Sequence, residues 1–200
     1  MRFSFHRGSL ALDFVGTVGA RASVAPEERL PDVDALAVWL AEADLMHDAE
    51  PTGADLSAAR KLREAVFQLG TAIVNMRPLS RLALATLNEA AEGVRSGAPI
   101  LDASRRVRWV SDAPFRLALG RVAYDAIRSF TTEPERLTVC EQADCGALLL
   151  SRSRSDRRRW CSMEACGNRA KVAAYRARQA TRSARGSSRT RPSVLGAKPR

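Results

Sequence analysis

The chain has 200 residues, of which 46% are hydrophobic and 27% are charged, and its formal net charge at pH 7 is +10. This length and composition are typical of a globular protein and exclude a solitary mini-protein. No apolar run reaches the roughly 18 residues that span a bilayer, so we expect no membrane association. Residues 1–136 carry 17 Lys and Arg against 18 Asp and Glu, whereas residues 137–200 carry 15 against 4. This asymmetry predicts two parts with different functions.

The first part has the pattern of a mainly α-helical domain. Short apolar runs punctuated by Gly8 and Gly16 predict a strand or extended segment over 2–18. Apolar residues then recur every three or four positions, which is helical periodicity. The predicted helices cover 32–47, 55–76, 79–96 and 113–130, and one predicted strand covers 107–110. We therefore expect an α+β fold whose N-terminal domain, residues 1–135, is mainly α-helical with a small sheet.

All four cysteines lie in the basic part and form two C-x4-C pairs separated by fifteen residues: Cys140, Cys145, Cys161 and Cys166. Each pair can bring two sulfurs together in one turn, so the two pairs can present four thiolates to one tetrahedral ion. The N-terminus lacks the continuous apolar run of an export signal, so we expect a cytoplasmic protein whose thiols stay reduced. The pattern predicts one structural zinc ion per chain. Free thiols, two disulfides and an iron–sulfur cluster are the alternatives.

The sequence around the cysteines also predicts how this zinc module, residues 136–182, folds. Residues 147–150 and 158–160 can pair as a hairpin between the two cysteine pairs. Strong helix formers follow Cys166, so a helix should begin at the last ligand and complete a treble-clef-like or ribbon-like module. Zinc must supply folding free energy on the order of 10 kcal/mol, because the module has few apolar residues. On its helix we expect Asn168, Val172 and Tyr175 to face the zinc site, and we expect residues 183–200 to form a disordered basic tail.

Two motifs resemble known bacterial families. The sequence Cys-Gly-Asn-Arg at 166–169 resembles the CGNR zinc finger, whose name spells these four residues. The N-terminal segment resembles the ABATE domain through His-Arg-Gly at 6–8, the run at 10–15 and Thr17, although Gly16 stands where that family usually has Asn. The resemblance implies a transcription regulator with a zinc-stabilised DNA-binding finger and an N-terminal α/β domain.

The basic third of the chain, residues 137–200, is predicted to bind duplex DNA. The DNA-bound protein is expected to associate with the nucleoid. Its 15 cations against 4 acids are not explained by an arginine-rich composition, because the first 136 residues are nearly neutral. Modules that bind single-stranded RNA stack its bases on aromatic rings, and this third has only Trp160 and Tyr175. Duplex DNA is therefore favoured as the ligand, and an RNA-binding protein is an alternative. A zinc-stabilised protein-interaction adaptor is the other alternative. The predicted DNA contacts are Arg157, Arg158, Arg159, Asn168, Arg169, Lys171, Arg176 and Arg178.

The N-terminal domain is predicted to hold a small-molecule effector. Asp13 lies within an apolar run and needs a partner if it is buried. Together with the family resemblance, this predicts a ligand pocket lined by His6, Asp13 and Thr17. We expect no enzyme activity, because neither this group nor His47 with its neighbouring acid has the spacing of a nucleophile and a base. Regulators commonly bind two-fold DNA targets, so we expect a homodimer.

Overall fold

A computed structural model of the chain describes residues 3–151 and 158–187, with side chains as far as Thr181. The helices in these ranges are α1 (Leu10–Val15), α2 (Val33–Glu42), α3 (Gly53–Val74), α4 (Arg81–Ala91), α5 (Pro114–Thr132) and α6 (Asn168–Ser187). The strands are β1 (Val18–Gly19), β2 (Glu27–Glu28), β3 (Gly97–Leu101), β4 (Val107–Ser111), β5 (Leu137–Val139) and β6 (Leu148–Leu150). None of these helices is both long and apolar enough to cross a membrane.

Side-chain caps fix where the long helices begin. Asp32 before α2 and Ser80 before α4 each accept a hydrogen bond from a backbone N–H three residues further on. Thr52 and Asp55 form a reciprocal capping box at the start of α3, and Pro114 occupies the first turn of α5. The four helices predicted from periodicity are therefore confirmed. α2 is shorter than predicted because Asp44 adopts a positive φ of 52° just beyond it.

A single apolar core holds the helical domain together. α3 packs against α4 and α5, and α1 contacts both α3 and α5. Phe14 of α1 and Trp39 of α2 are fully buried, with ring centroids 4.7 Å apart. The extended segment predicted over 2–18 is wrong, because residues 10–15 form a helix capped by Ser9. Five of its six residues are buried, so the helix has no polar face to reveal its period.

The strands form three separate antiparallel pairs. The predicted strand over 107–110 is confirmed as β4, and it pairs with β3, which we did not predict. The hairpin predicted between 147–150 and 158–160 is wrong. β6 instead pairs with β5, with Leu137 opposite Leu150 and Val139 opposite Leu148. The α+β class, mainly helical with small sheets and a zinc module, is confirmed.

The β5–β6 hairpin belongs to the core of the helical domain. Leu137 and Leu148 are buried in that core, with exposures of 2% and 0%. A Cβ at Gly70 of α3 would lie 2.7 Å from Cδ1 of Leu148, so this position leaves space for the leucine. Leu149 packs instead in a second cluster with the cysteines. One strand thus joins the helical domain to the cysteine site.

Candidate metal centre

The four cysteine sulfurs form one compact group. All lie within 4.8 Å of one another, and three of the cysteines are buried while Cys161 is partly exposed. The sulfur of Cys161 lies 3.6 Å from that of Cys145 and 3.3 Å from that of Cys166. These distances exceed the roughly 2.05 Å of a disulfide and approach the S–S edges of a tetrahedral site with zinc–sulfur bonds of about 2.3 Å. The predicted ligand set is therefore assembled, and it can hold one zinc ion.

Local hydrogen bonds form the first of the two zinc knuckles. The backbone N–H of Cys140, directly after β5, donates to the carbonyl of Ala147 at 2.8 Å. The N–H of Cys145 donates to the carbonyl of Gln142 at 2.9 Å, which closes the turn between the two ligands. Gly146 completes this turn with a φ of +61°, a conformation that side chains other than glycine rarely adopt. The first pair of sulfurs is thus placed by backbone geometry.

The second knuckle is a π-helical turn, Met163–Gly167, that leads directly into α6. The Ser162 side chain caps it by accepting from the N–H of Ala165 at 3.0 Å. A Cβ at Gly167 would lie 2.8 Å from the sulfur of Met163, so a side chain there would displace this flexible methionine. The last ligand, Cys166, is therefore fixed at the point where α6 begins, as the sequence predicted.

The close contacts among the cysteines shift the pKa values of their thiols in opposite directions. Hydrogen bonds from Cys145 and Cys161 lower the pKa of Cys140 to about 2. The contact with Cys140 raises the pKa of Cys145 to about 11, and contacts with Cys140 and Cys145 raise the pKa of Cys161 further. Four thiolates cannot coexist at this separation without a positive charge among them. A bound divalent metal supplies that charge when the ligands lose their protons.

Arg169, the last residue of the CGNR motif, binds this centre. Its Nη1 donates to Asp144 in the first knuckle at 2.8 Å, and its Nη2 donates to the sulfur of Cys166 at 3.2 Å. The guanidinium therefore connects the two knuckles across the start of α6. Asn168 is also engaged, because its Nδ2 donates to the carbonyl of Glu164 at 3.1 Å. Both side chains were predicted to contact DNA, and in the structure both have partners within the module.

The two described arginines of the 152–160 segment also have partners. Nη2 of Arg158 donates to the carbonyl of Cys161 at 2.7 Å, and its Nη1 donates to the carbonyl of His6 at 2.5 Å. Arg159 forms an ion pair with Glu141 at 2.7 Å and lies over the Trp160 ring. The third arginine of this predicted group, Arg157, lies outside the described residues.

α6 extends away from the zinc module. Every residue from Lys171 to Thr181 is exposed, including Val172 at 48% and Tyr175 at 56%. The prediction that Val172 and Tyr175 face the zinc site is therefore wrong, because the two knuckles cover only the first residues of the helix. The predicted contacts Lys171, Arg176 and Arg178 lie on this exposed length, and no partner is recorded for them among the described residues. The helix continues to Ser187, five residues into the predicted tail.

The residues of the predicted ligand pocket have protein partners. Asp13 is 8% exposed, and its Oδ1 accepts the backbone N–H of Arg7 at 2.8 Å. Burial raises the pKa of Asp13 to about 6. Thr17 donates to the carbonyl of Phe14 and accepts from Nη1 of Arg63 at 3.1 Å. His6 is exposed, and its pKa is lowered by partial burial and by the neighbouring arginines.

Two cavities lie elsewhere on the described part of the chain, and neither is lined by these residues. One is a groove of about 1360 Å³ between α3, α4 and α5. The other, of about 700 Å³, lies beside the start of α6. The ligand pocket therefore stays a prediction.

Two arginines of the N-terminal domain are buried, which the sequence analysis did not predict. Arg63 of α3 is 3% exposed, and its guanidinium binds Glu28 at 2.6 Å and Glu64 at 2.9 Å. Arg7 is 7% exposed, and its Nε has no hydrogen-bond partner. Burial lowers the pKa of Arg7, and the charge of Asp13 partly offsets this effect. Arg7 stands in the His-Arg-Gly motif at 6–8, but nothing in the sequence predicts that Arg7 or Arg63 is buried.

Comparison with known families assigns both parts of the chain. Residues 8–133 match ABATE, described as "Putative stress-induced transcription regulator", and residues 136–179 match the CGNR zinc finger. The chain belongs to the ABATE family. The two matches meet at the start of β5, where the structure passes from the helical domain into the zinc module. A search of curated proteins finds no significant match.

Proposed function

We propose that this ABATE-family chain is a DNA-binding transcription regulator whose zinc module presents α6 to duplex DNA. The observation that carries the proposal is the exposure of α6, whose side chains from Lys171 to Thr181 are all in contact with solvent. The helices of many DNA-binding modules enter the major groove in this manner, anchored at one end by a compact module. The protein would act in the cytoplasm, on the nucleoid when bound, and we propose no catalytic role.

Charge supports this proposal and favours three cations of α6 as the leading contacts. Residues 137–200 carry 15 cations against 4 acids. Lys171, Arg176 and Arg178 have no recorded partner in the described part of the chain, so they are free to neutralise phosphates. Arg158 and Arg169 would have to give up carbonyl, carboxylate and thiolate partners to do so. We therefore assign phosphate binding first to the three cations of α6.

The test measures duplex affinity as a function of salt. Each neutralised phosphate contributes about −0.9 to the slope of log K against log salt. Replacing Lys171, Arg176 and Arg178 together by Ala should make the slope shallower by about 2.7. A fourfold rise in salt should therefore weaken duplex binding of this variant roughly 40-fold less than it weakens binding of the wild type. Zinc content is measured on every variant, so that a lost zinc site is not mistaken for lost contacts.

A matched control changes the same charge elsewhere on the molecule. Arg77, Arg81 and Arg128 are exposed in the N-terminal domain, and their triple Ala variant should retain the wild-type slope. Equal losses in the two triple variants, with full zinc in both, would show that net charge rather than α6 determines binding. A flat salt dependence in the wild type would contradict phosphate binding altogether.

A protein-interaction adaptor is the second candidate, and one observation favours it. Val172 and Tyr175 expose apolar surface on α6, at 48% and 56%, with no covering residue in the described ranges. A partner protein could cover this surface in place of DNA. In that case the wild type would not bind random duplex DNA at low salt, and replacing both residues with Ala would abolish binding to the partner protein.

Effector binding and dimer formation complete the proposal. The family resemblance supports an effector near His6, Asp13 and Thr17, and thermal shift screening against Asp13→Asn as a control would detect it. Sedimentation of the zinc-loaded chain with and without duplex would determine the oligomeric state. A monomer in both conditions would remove the homodimer from the proposal.

A further inference from the structure

Three exposed side chains of α6 lie in one stripe along the helix. Residues of an α-helix advance by about 100° each around its axis, so Val172, Tyr175 and Gln179 lie within about 60° of one another. All three are exposed. Asn168 begins the same stripe, but its amide nitrogen already donates to the carbonyl of Glu164. We call Val172, Tyr175 and Gln179 the central stripe.

Cations flank the central stripe on both sides. Lys171 and Arg178 lie about 40–60° beyond the Tyr175 edge of the stripe, and Arg176 lies about 40° beyond the Val172 edge. The opposite side of the helix carries small, uncharged residues, which are Ala170, Ala173, Ala174, Ala177 and Thr181. The sequence of α6 contains no Asp or Glu. The surface around the central stripe is therefore complementary to a polyanion.

The arrangement of these side chains matches the major groove of B-form DNA. An α-helix with its side chains is about 10–12 Å across, and the groove is about 12 Å wide. A helix in this groove has phosphates on both sides and base edges in front of it. Cations on both sides of a central stripe without charge follow the same order. A protein surface has no general reason to carry two rows of negative charge at this spacing, whereas every duplex carries them.

The glutamine of the central stripe is held by the tyrosine. Nε2 of Gln179 donates to the hydroxyl oxygen of Tyr175 at 2.9 Å. This bond uses one of the two amide hydrogens, so the other hydrogen and the amide oxygen stay available. A glutamine amide with both groups available forms a bidentate contact with adenine, whose N7 accepts and whose N6 amino group donates. Because Tyr175 restricts its rotation, Gln179 loses less conformational freedom when it binds a base.

We propose that the central stripe contacts base edges in the major groove, with Gln179 binding adenine and Val172 contacting the methyl group of thymine. This inference rests on the proposed DNA binding of α6 and adds which residues select the sequence. The valine side chain has no hydrogen-bonding group, and the thymine methyl is the apolar group that the major groove displays. Val172 and Gln179 are seven residues apart in the sequence. This separation is about 10 Å along the helix, or about three base pairs, so the preferred site contains two A·T pairs about three positions apart.

The test selects duplexes from a random-sequence library with the full, zinc-loaded chain, and the bound fraction is sequenced. The wild type should enrich the two A·T pairs. A bidentate contact discriminates between bases by about 5- to 150-fold, so Gln179→Ala should reduce the preference at one pair at least fivefold and leave the other unchanged. Gln179→Glu should change the preference at that pair from adenine to cytosine, because a carboxylate only accepts and the cytosine amino group donates.

Two control variants separate base contacts from general effects. Gln68→Ala makes the same change at an exposed site of α3, and Thr181→Ala changes an exposed residue on the opposite side of α6. Both should retain the wild-type base preference. The salt slope of Gln179→Ala should equal that of the wild type, because no phosphate contact is removed. Zinc content is measured on each variant.

Failure of this inference is distinguishable from failure of DNA binding. Steep salt-dependent binding of the wild type without enrichment of any A·T pair would overturn base contacts by the central stripe and leave phosphate binding by α6 standing. Unchanged base preference in both Gln179 variants, or an equal change in Thr181→Ala, would also overturn them. Absence of duplex binding in the wild type would refute the proposed function and this inference together, and would favour a partner protein on this face of the helix.

Discussion

Leu148 of the zinc module should contribute to the stability of the whole N-terminal domain. Its side chain is fully buried in the main core, against Gly70 of α3. Leu-to-Ala changes at buried sites cost about 2–5 kcal/mol, depending on how far the surroundings can collapse. Here the neighbouring backbone of a helix has no side chain to move into the cavity, so we expect about 3 kcal/mol or more for Leu148→Ala. In a chain of this size that corresponds to a drop in Tm of about 6–12 °C.

The assay is thermal unfolding by circular dichroism in excess zinc, with Leu149→Ala as control. Leu149 is also fully buried, but its side chain packs in the cysteine cluster on the opposite face of β6. The control should weaken zinc retention and lower the Tm of the helical domain less than Leu148→Ala does. A Tm within 2 °C of the wild type for Leu148→Ala, with a larger drop for Leu149→Ala, would refute the shared core.

Two further predictions concern single side chains. Burial raises the pKa of Asp13 from 3.8 to about 6, so the folded state takes up a proton more readily than the unfolded state, and stability should fall by about 2 kcal/mol as pH rises from 4 to 6. The difference in unfolding free energy between wild type and Asp13→Asn should follow this course, and a difference that is independent of pH would contradict it. Arg169→Gln removes the contacts with Cys166 and Asp144 and should lower zinc affinity about tenfold, measured by chelator competition. With zinc saturated, the salt slope of its DNA binding should equal that of the wild type; a slope shallower by about 0.9 would mean that Arg169 binds a phosphate instead.

The long helices and the zinc ligands could be predicted because both have local causes. Periodic apolar residues and capping side chains determine α2 to α5, and two C-x4-C turns determine the cysteine cluster. The start of α6 at the last ligand follows from the helix formers after Cys166. These features depend on residues within one or two turns of each other, and that is the range over which a sequence pattern carries information.

The remaining features depend on contacts between distant parts of the chain. α1 is buried on nearly every side, so tertiary packing rather than periodicity makes it a helix. β6 pairs with β5, which precedes Cys140 and therefore lies outside the segment between the two cysteine pairs. The spacing of the cysteines gives no indication of this pairing. Arg158 binds His6, 152 residues away in the chain. Because this partner is so distant in the sequence, no local pattern distinguishes Arg158 from a surface arginine.

Positive charge in the zinc module is therefore divided by location. Arg158, Arg159 and Arg169 lie near the cysteines and have carbonyl, carboxylate or thiolate partners. Lys171 and the arginines beyond it lie on a helix that the module does not cover. We therefore expect substitutions in the first group to change the zinc centre, and the position of α6 only through that centre. Substitutions in the second group should leave the centre intact. A loss of DNA binding can thus be assigned to a contact only when zinc content is measured on the same variant.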